Sequence, residues 1–153
     1  MKKIIACPLF FVMSFLFCRA NAQVYLEDLL HSSEWILSSA FPDSSHVHFI
    51  RRTCIRTDKP NLIKIWILVY HESFKYGVFT YKGVSEKVLT LIDFGKVQMR
   101  PLAVYYYDSG GHLLYSEGED QLNSMWDPVV PDSMGEGDFN KAAKMFYQRK
   151  KKQ

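Results

Sequence analysis

The stretch Leu62–Tyr70 constrains the fold more than any other part of the chain. Side chains along a strand point to opposite faces in turn. On that period Ile63, Ile65, Ile67 and Val69 share one face, while Leu62, Trp66, Leu68 and Tyr70 share the other. A strand that is apolar on both faces belongs in the middle of a sheet rather than at its margin. The remaining strands are therefore read outward from this one.

Upstream, Trp35-Ile36-Leu37 starts a first strand and Val47–Ile55 reads as a second, with Val47 and Phe49 opposite His48 and Ile50. Asp58-Lys59-Pro60-Asn61 is a turn signal. Downstream, Phe74, Tyr76, Phe79 and Tyr81 fall in what reads as a loop rich in aromatic residues, and Ser85–Asp93 alternates again as a strand. Gln98–Tyr107 and His112–Ser116 are separated by Asp108-Ser109-Gly110-Gly111, which reads as a hairpin. Glu117–Ser124 is polar enough for a loop, and the prolines of Trp126–Pro131 forbid a helix there and favour an extended segment.

At Ser133 the pattern changes period. Ser133-Met134-Gly135-Glu136 is a capping box, in which hydroxyl and carboxylate accept hydrogen bonds from backbone N–H groups at a helix start. Phe139, Ala142, Ala143, Phe146 and Tyr147 then fall on one helical stripe, which ends near Gln148 at a basic tail suited to the helix C-terminal dipole. The expectation is an α+β domain: an antiparallel sheet of five to six strands with a C-terminal helix packed on one face.

The N-terminus reads as an export leader. Lys2 and Lys3 precede an apolar run from Ile4 to Phe17, and Ala20-Asn21-Ala22 offers a cleavage site before Gln23. The run is shorter than the ~20 residues of a membrane span. Losing Lys2, Lys3 and Arg19 takes the basic count from 19 to 16, equal to the 16 acidic residues. The excess of positive charge thus belongs to the leader, and neither it nor an exported location favours nucleic acid as a partner. Cys7 and Cys18 leave with the leader, so Cys54 has no intrachain disulfide partner. The expected organisation is a leader over 1–22, an arm or short helix over 23–34, a domain over 35–148 and a basic tail over 149–153.

Strings that resemble catalytic motifs read more simply as structure. Asp108-Ser109-Gly110-Gly111 copies a serine-protease string without a histidine motif upstream, and the chain is too short for a two-barrel protease. His71-Glu72-Ser73-Phe74-Lys75 has Lys75 where a zinc helix needs its second imidazole. His46 and His48 share a strand face and would need a third ligand, Asp43 or His31, to hold a metal; surface histidines are the simpler reading. No phosphate-binding glycine loop or nucleophile elbow occurs, so no enzyme activity, cofactor or metal is expected.

Leu62-Ile63-Lys64-Ile65-Trp66-Ile67-Leu68, the strand ending Leu91-Ile92-Asp93, Tyr105-Tyr106-Tyr107-Asp108 with Gly111, and the run Trp126-Asp127-Pro128-Val129-Val130-Pro131-Asp132-Ser133-Met134-Gly135-Glu136 resemble, in order and spacing, the surface-adhesin protein E family. The resemblance spans about Trp35 to Phe146. It implies a small exported domain, at the outer surface or in the periplasm, related to an adhesin that binds host matrix and serum proteins. It also implies a disulfide between a cysteine after the Ile-Asp pair and one late in the last helix. Here those positions hold Phe94 and Phe146, and the two rings are expected to meet in place of the crosslink.

Two groups are candidate binding residues. Tyr76, Tyr81, Tyr105 and Tyr107 belong to aromatic runs of the kind that recognise protein, and alternation sets Tyr106 on the face opposite Tyr105 and Tyr107. Arg149, Lys150, Lys151 and Lys152 form a tail suited to polyanions. The expected role is contact with protein or polyanionic glycan at the cell envelope, with membrane contact only through the leader; a periplasmic small-ligand or accessory protein is the alternative.

Overall fold

Strand β4 (Leu62–Tyr76) lies inside an antiparallel sheet, where its two apolar faces place it. The computed structural model describes residues 25–42, 45–122 and 125–150, apart from the side chains of residues 149 and 150; the leader lies outside the described residues. The sheet is built from β1 (Trp35–Ala40), β2 (His46–Arg51), β3 (Ile55–Arg56), β4, β5 (Phe79–Asp93), β6 (Gln98–Tyr107), β7 (Leu113–Glu117) and β8 (Asp127–Pro128). Its main path runs β1-β2-β4-β5-β6-β7, with β3 on β4 and β8 on β6. Helices α1 (residues 25–30), α2 (Glu119–Leu122) and α3 (Met134–Lys150) complete the described chain.

The α+β class and the terminal helix agree with the sequence reading, but the strand count is eight rather than five to six. The surplus is the pair of two-residue strands β3 and β8. Val47–Ile55 is not one strand. Val47 pairs Tyr70 whereas Ile55 pairs Lys64, which leaves two extra residues between the pairings. Arg52 N donates to Glu34 O at 2.8 Å, turning this segment toward β1 before it rejoins β4. β8 forms where the proline-stiffened segment meets Gln98 and Met99.

The aromatic stretch between the two longest strands is also not a loop. β4 and β5 pair without a register slip from Leu62↔Asp93 to Tyr76↔Phe79, closed by Gly77 and Val78 alone. Gly77 has φ +60, as the first central residue of a type II′ hairpin turn demands, and β-branched and aromatic residues suit the strands that lead to it. Glu119–Leu122 forms one helical turn within the segment read as a loop, and α3 continues to Lys150 rather than ending near Gln148.

Alternation along β4 gives the sheet two different sides. Ile50, Ile63, Ile65, Ile67, Val69 and Ile92 form one buried cluster with Phe139, Ala142 and Phe146 of α3. Val47, Phe49, Leu68 and Tyr70 form another with Leu29 of α1, so the short N-terminal helix covers part of the second face. The expected meeting of Phe94 and Phe146 is present: the rings stack with centroids 5.0 Å apart, and Phe94 also meets Phe139 edge-on at 5.4 Å. Such a pair adds about 0.5–1.5 kcal/mol to the burial of its apolar area.

Helix α3 is seated at its N-terminus as well. Ser133 Oγ accepts from Glu136 N at 3.1 Å, while the Glu136 carboxylate accepts from Asp132 N at 2.8 Å, one residue earlier than in a standard capping box. Gly137 faces β1 so closely that a Cβ there would lie 2.8 Å from that of Ser39. Ser38 donates to Asp138 Oδ1, and His48 Nδ1 lies 2.7 Å from Asp138 Oδ2. The carboxylate, 2% exposed, thereby joins α3 to both β1 and β2.

Candidate functional site

The half of the second face that α1 leaves uncovered carries an open groove of about 390 Å³, lined by Glu34, Trp35, Arg51, Trp66, Lys87, Tyr105 and Tyr107. Sheet register assembles it. Trp35 pairs Arg51 across β1 and β2, while Leu68, Lys87 and Tyr105 lie in one row across β4, β5 and β6. The Trp66 and Tyr105 rings meet at 5.9 Å across the intervening strand β5, and Lys87 Nζ sits 4.8 Å from the centre of the Tyr107 ring. Arg51 reaches Glu34 at 3.6 Å. The groove therefore presents half-buried aromatic rings beside two cations and one carboxylate.

The tyrosines singled out by sequence do not form one patch. Tyr105 and Tyr107 enter the groove; Tyr76 and Tyr81 stand on the β4–β5 hairpin, where Tyr81 meets Phe79 at 6.4 Å and Tyr76 meets Tyr115 at 5.5 Å. Tyr106 points away from its neighbours, as alternation requires, and stacks on Phe74 at 4.9 Å. Burial first, then Glu86, pushes its phenol pKa well above the ordinary range. Arg149 and Lys150 extend α3; their side chains, with Lys151 and Lys152, fall outside the described residues. Glu34, Trp35, Arg51, Trp66 and Lys87 are the groove residues that sequence reasoning missed. The period-two pattern sets Trp66 opposite the isoleucines; the cross-strand register that brings Lys87 and Trp35 to it is not legible in the chain.

The histidines are engaged elsewhere. His48 contacts Asp138, His46 packs edge-on against His71 at 4.9 Å, and His71 Nε2 lies 2.9 Å from Glu86 Oε2. His31 pairs with Glu27 at 3.9 Å, Asp43 lies outside the described residues, and among the described residues no cluster of three metal-ligating groups occurs. Ser38, Asp138 and His48 hold the components of a hydrolytic triad in an order that does not activate a nucleophile, because the serine bonds to the carboxylate instead of the imidazole. The Asp108 string is a turn: its carboxylate accepts from Gly110 N and His112 N, both at 2.9 Å. Partial burial raises the Asp108 pKa, but these bonds outweigh it and leave the group below the usual carboxylate range. Cys54 is a free thiol packed beside the α3 cluster.

The family model for surface-adhesin protein E matches residues 35–143, from β1 into α3 and including the sheet that carries the groove. The chain belongs to the surface-adhesin protein E family. The matched span takes in the central strand, the Tyr-Tyr-Tyr-Asp hairpin and the Pro-rich entry to the last helix, and the membership points to an exported or surface protein. No curated protein and no solved structure matches the chain. Among the described residues no helix is long and apolar enough to cross a membrane.

Proposed function

We propose that this member of the protein E family is an exported, non-enzymatic contact protein that engages a host or envelope protein through the groove of Trp35, Trp66, Tyr105 and Tyr107. The observation that carries the reading is the convergence of Trp, Tyr and Arg side chains on an open part of the sheet that no helix among the described residues covers. Those residue types dominate protein-binding hot spots, because a rigid ring or a guanidinium buries large area for few frozen rotors. Lys87 and Arg51 against Glu34 tilt the groove toward a partner segment bearing a carboxylate.

Protease accessibility on intact cells, followed by retention of the exported chain on films of host matrix protein, tests the proposal. Trp66→Ala with Tyr105→Ala is expected to lower retention at least tenfold while the fold persists. Shielding from protease on intact cells, or unchanged retention by the double variant, would overturn it. A second reading comes from the groove volume, which falls in the range of small-ligand sites. A periplasmic small ligand would then protect the groove tryptophans from quenching, with no binding to protein films.

A further inference from the structure

The end of the β4–β5 hairpin is built differently from the groove, and its properties are independent of the contact role proposed for that groove. Strand β2 stops pairing with β4 at His71, and β6 stops pairing with β5 at Ser85. From Glu72 to Val84 the two strands continue as a ribbon with no strand on either side, a projection on the order of 15 Å. Phe74 and Tyr76 steady its root by stacking on Tyr106 and Tyr115. Its end touches nothing comparable: Val78 is 88% exposed and Phe79 63%, and a Cβ on Gly77 would meet open space.

A tip so apolar on an exported domain needs a partner that rewards it. The sequence Lys75-Tyr76-Gly77-Val78-Phe79-Thr80-Tyr81-Lys82 sets Val78 at the turn, Phe79 opposite Tyr76 next to it, and Tyr81 with the exposed Lys75 and Lys82 further back, with no acidic residue from Ser73 to Ser85. The body of the domain is otherwise mildly acidic, since between Gln23 and Gln148 acidic residues outnumber basic ones. An exposed apolar apex backed by amphipathic rings and two cations, on a domain whose body is otherwise acidic, is complementary to a bilayer with its acyl chains, interfacial layer and anionic head groups.

We infer that the hairpin tip inserts Val78 and Phe79 into the interfacial layer of a phospholipid membrane, with Lys75 and Lys82 on anionic head groups. The sequence alone ties membrane contact to the leader; the tip supplies a second route that persists after the leader is gone. Both insertion and charge are needed, because an isolated apolar apex of two residues holds a surface weakly and each lysine near an anionic leaflet adds about fivefold in partition.

The exported chain, as recovered from the cells that process it, is sedimented with vesicles of phosphatidylcholine alone and with vesicles that also contain phosphatidylglycerol. Binding is expected only to the anionic vesicles and to fall as salt rises. Val78→Asp with Phe79→Asp is expected to reduce it at least tenfold, and Lys75→Gln or Lys82→Gln about fivefold each, all with little change in thermal unfolding because these side chains are exposed. As an independent readout, Val78→Trp should be quenched by brominated acyl chains. Equal binding to both vesicle types, tip variants that partition like the parent, or an unquenched tip tryptophan in the bound protein would each overturn the inference. So would tip variants that alter only self-association or retention on protein films, which would assign the tip to a second copy or to a protein partner.

Discussion

The two faces of the sheet are made from the same strands and serve opposite ends. Ile63, Ile65, Ile67 and Val69 of β4 are buried with Phe139, Ala142 and Phe146 of α3 in a closed cluster, and Asp138 ties the helix to β1 and β2. On the other face Leu68 and Tyr70 join a smaller cluster with Leu29 of α1, and Trp66 looks into an open groove beside Tyr105. The difference teaches that one face is closed by a long helix while the other, only partly closed by a short one, leaves half-buried aromatic rings at an open groove.

The comparison breaks first if the α3 face is not what holds the fold. Phe146→Ala is expected to cost about 4 kcal/mol in urea unfolding, from lost transfer energy and the cavity left beside Phe94 and Phe139. A cost below about 1 kcal/mol would mean that the helix is only loosely docked. Introducing a crosslink sharpens the point: Phe94→Cys with Phe146→Cys should form a disulfide, and the oxidised form should exceed the reduced by about 3 kcal/mol. Failure of those cysteines to pair would contradict the close approach of the two rings.

Gly137→Ala sets two effects against each other. Alanine favours the helix by about 1 kcal/mol, whereas its Cβ would lie 2.8 Å from Ser39 Cβ on β1. Overpacking of that kind typically costs about 1–3 kcal/mol, so a net loss of about 1 kcal/mol is expected in the same titration. On the open face Trp66→Ala should cost about 1 kcal/mol, well below Phe146→Ala, since part of the ring already faces solvent and its removal leaves no closed cavity. The smallest effect is confined to alkali. The folded-state pKa of Tyr106 is raised, so its contribution is present below the ordinary phenol value of about 10 and is lost as pH rises beyond it. Tyr106→Phe should flatten that alkaline limb of a melting-temperature profile.

Much of this is legible in the chain. The period-two pattern around Ile65 marks the interior strand, the capping signal at Ser133 marks the start of α3, and the ring pair at Phe94 and Phe146 falls at positions where the family pattern carries a disulfide. What stays hidden is non-local. Alternation tells which face Tyr105 takes, but only the bulged β5–β6 register, slipping between Leu89 and Thr90, decides which residues of β4 and β5 lie beside it. The hairpin tip reads as a loop in sequence because its exposed ribbon shows no apolar alternation against a core, and only Gly77 hints at so tight a turn. β3 and β8 are too short for any period to show.

The division between a closed face and an open one is tested most directly by oxidative footprinting of the exported chain in solution. Trp35, Trp66, Tyr105 and Tyr107 are expected to be modified readily, while Phe139 and Phe146 stay protected until the fold is lost. Protection of the groove rings to the level of Phe146, or ready modification of Phe146 in the folded chain, would contradict the account.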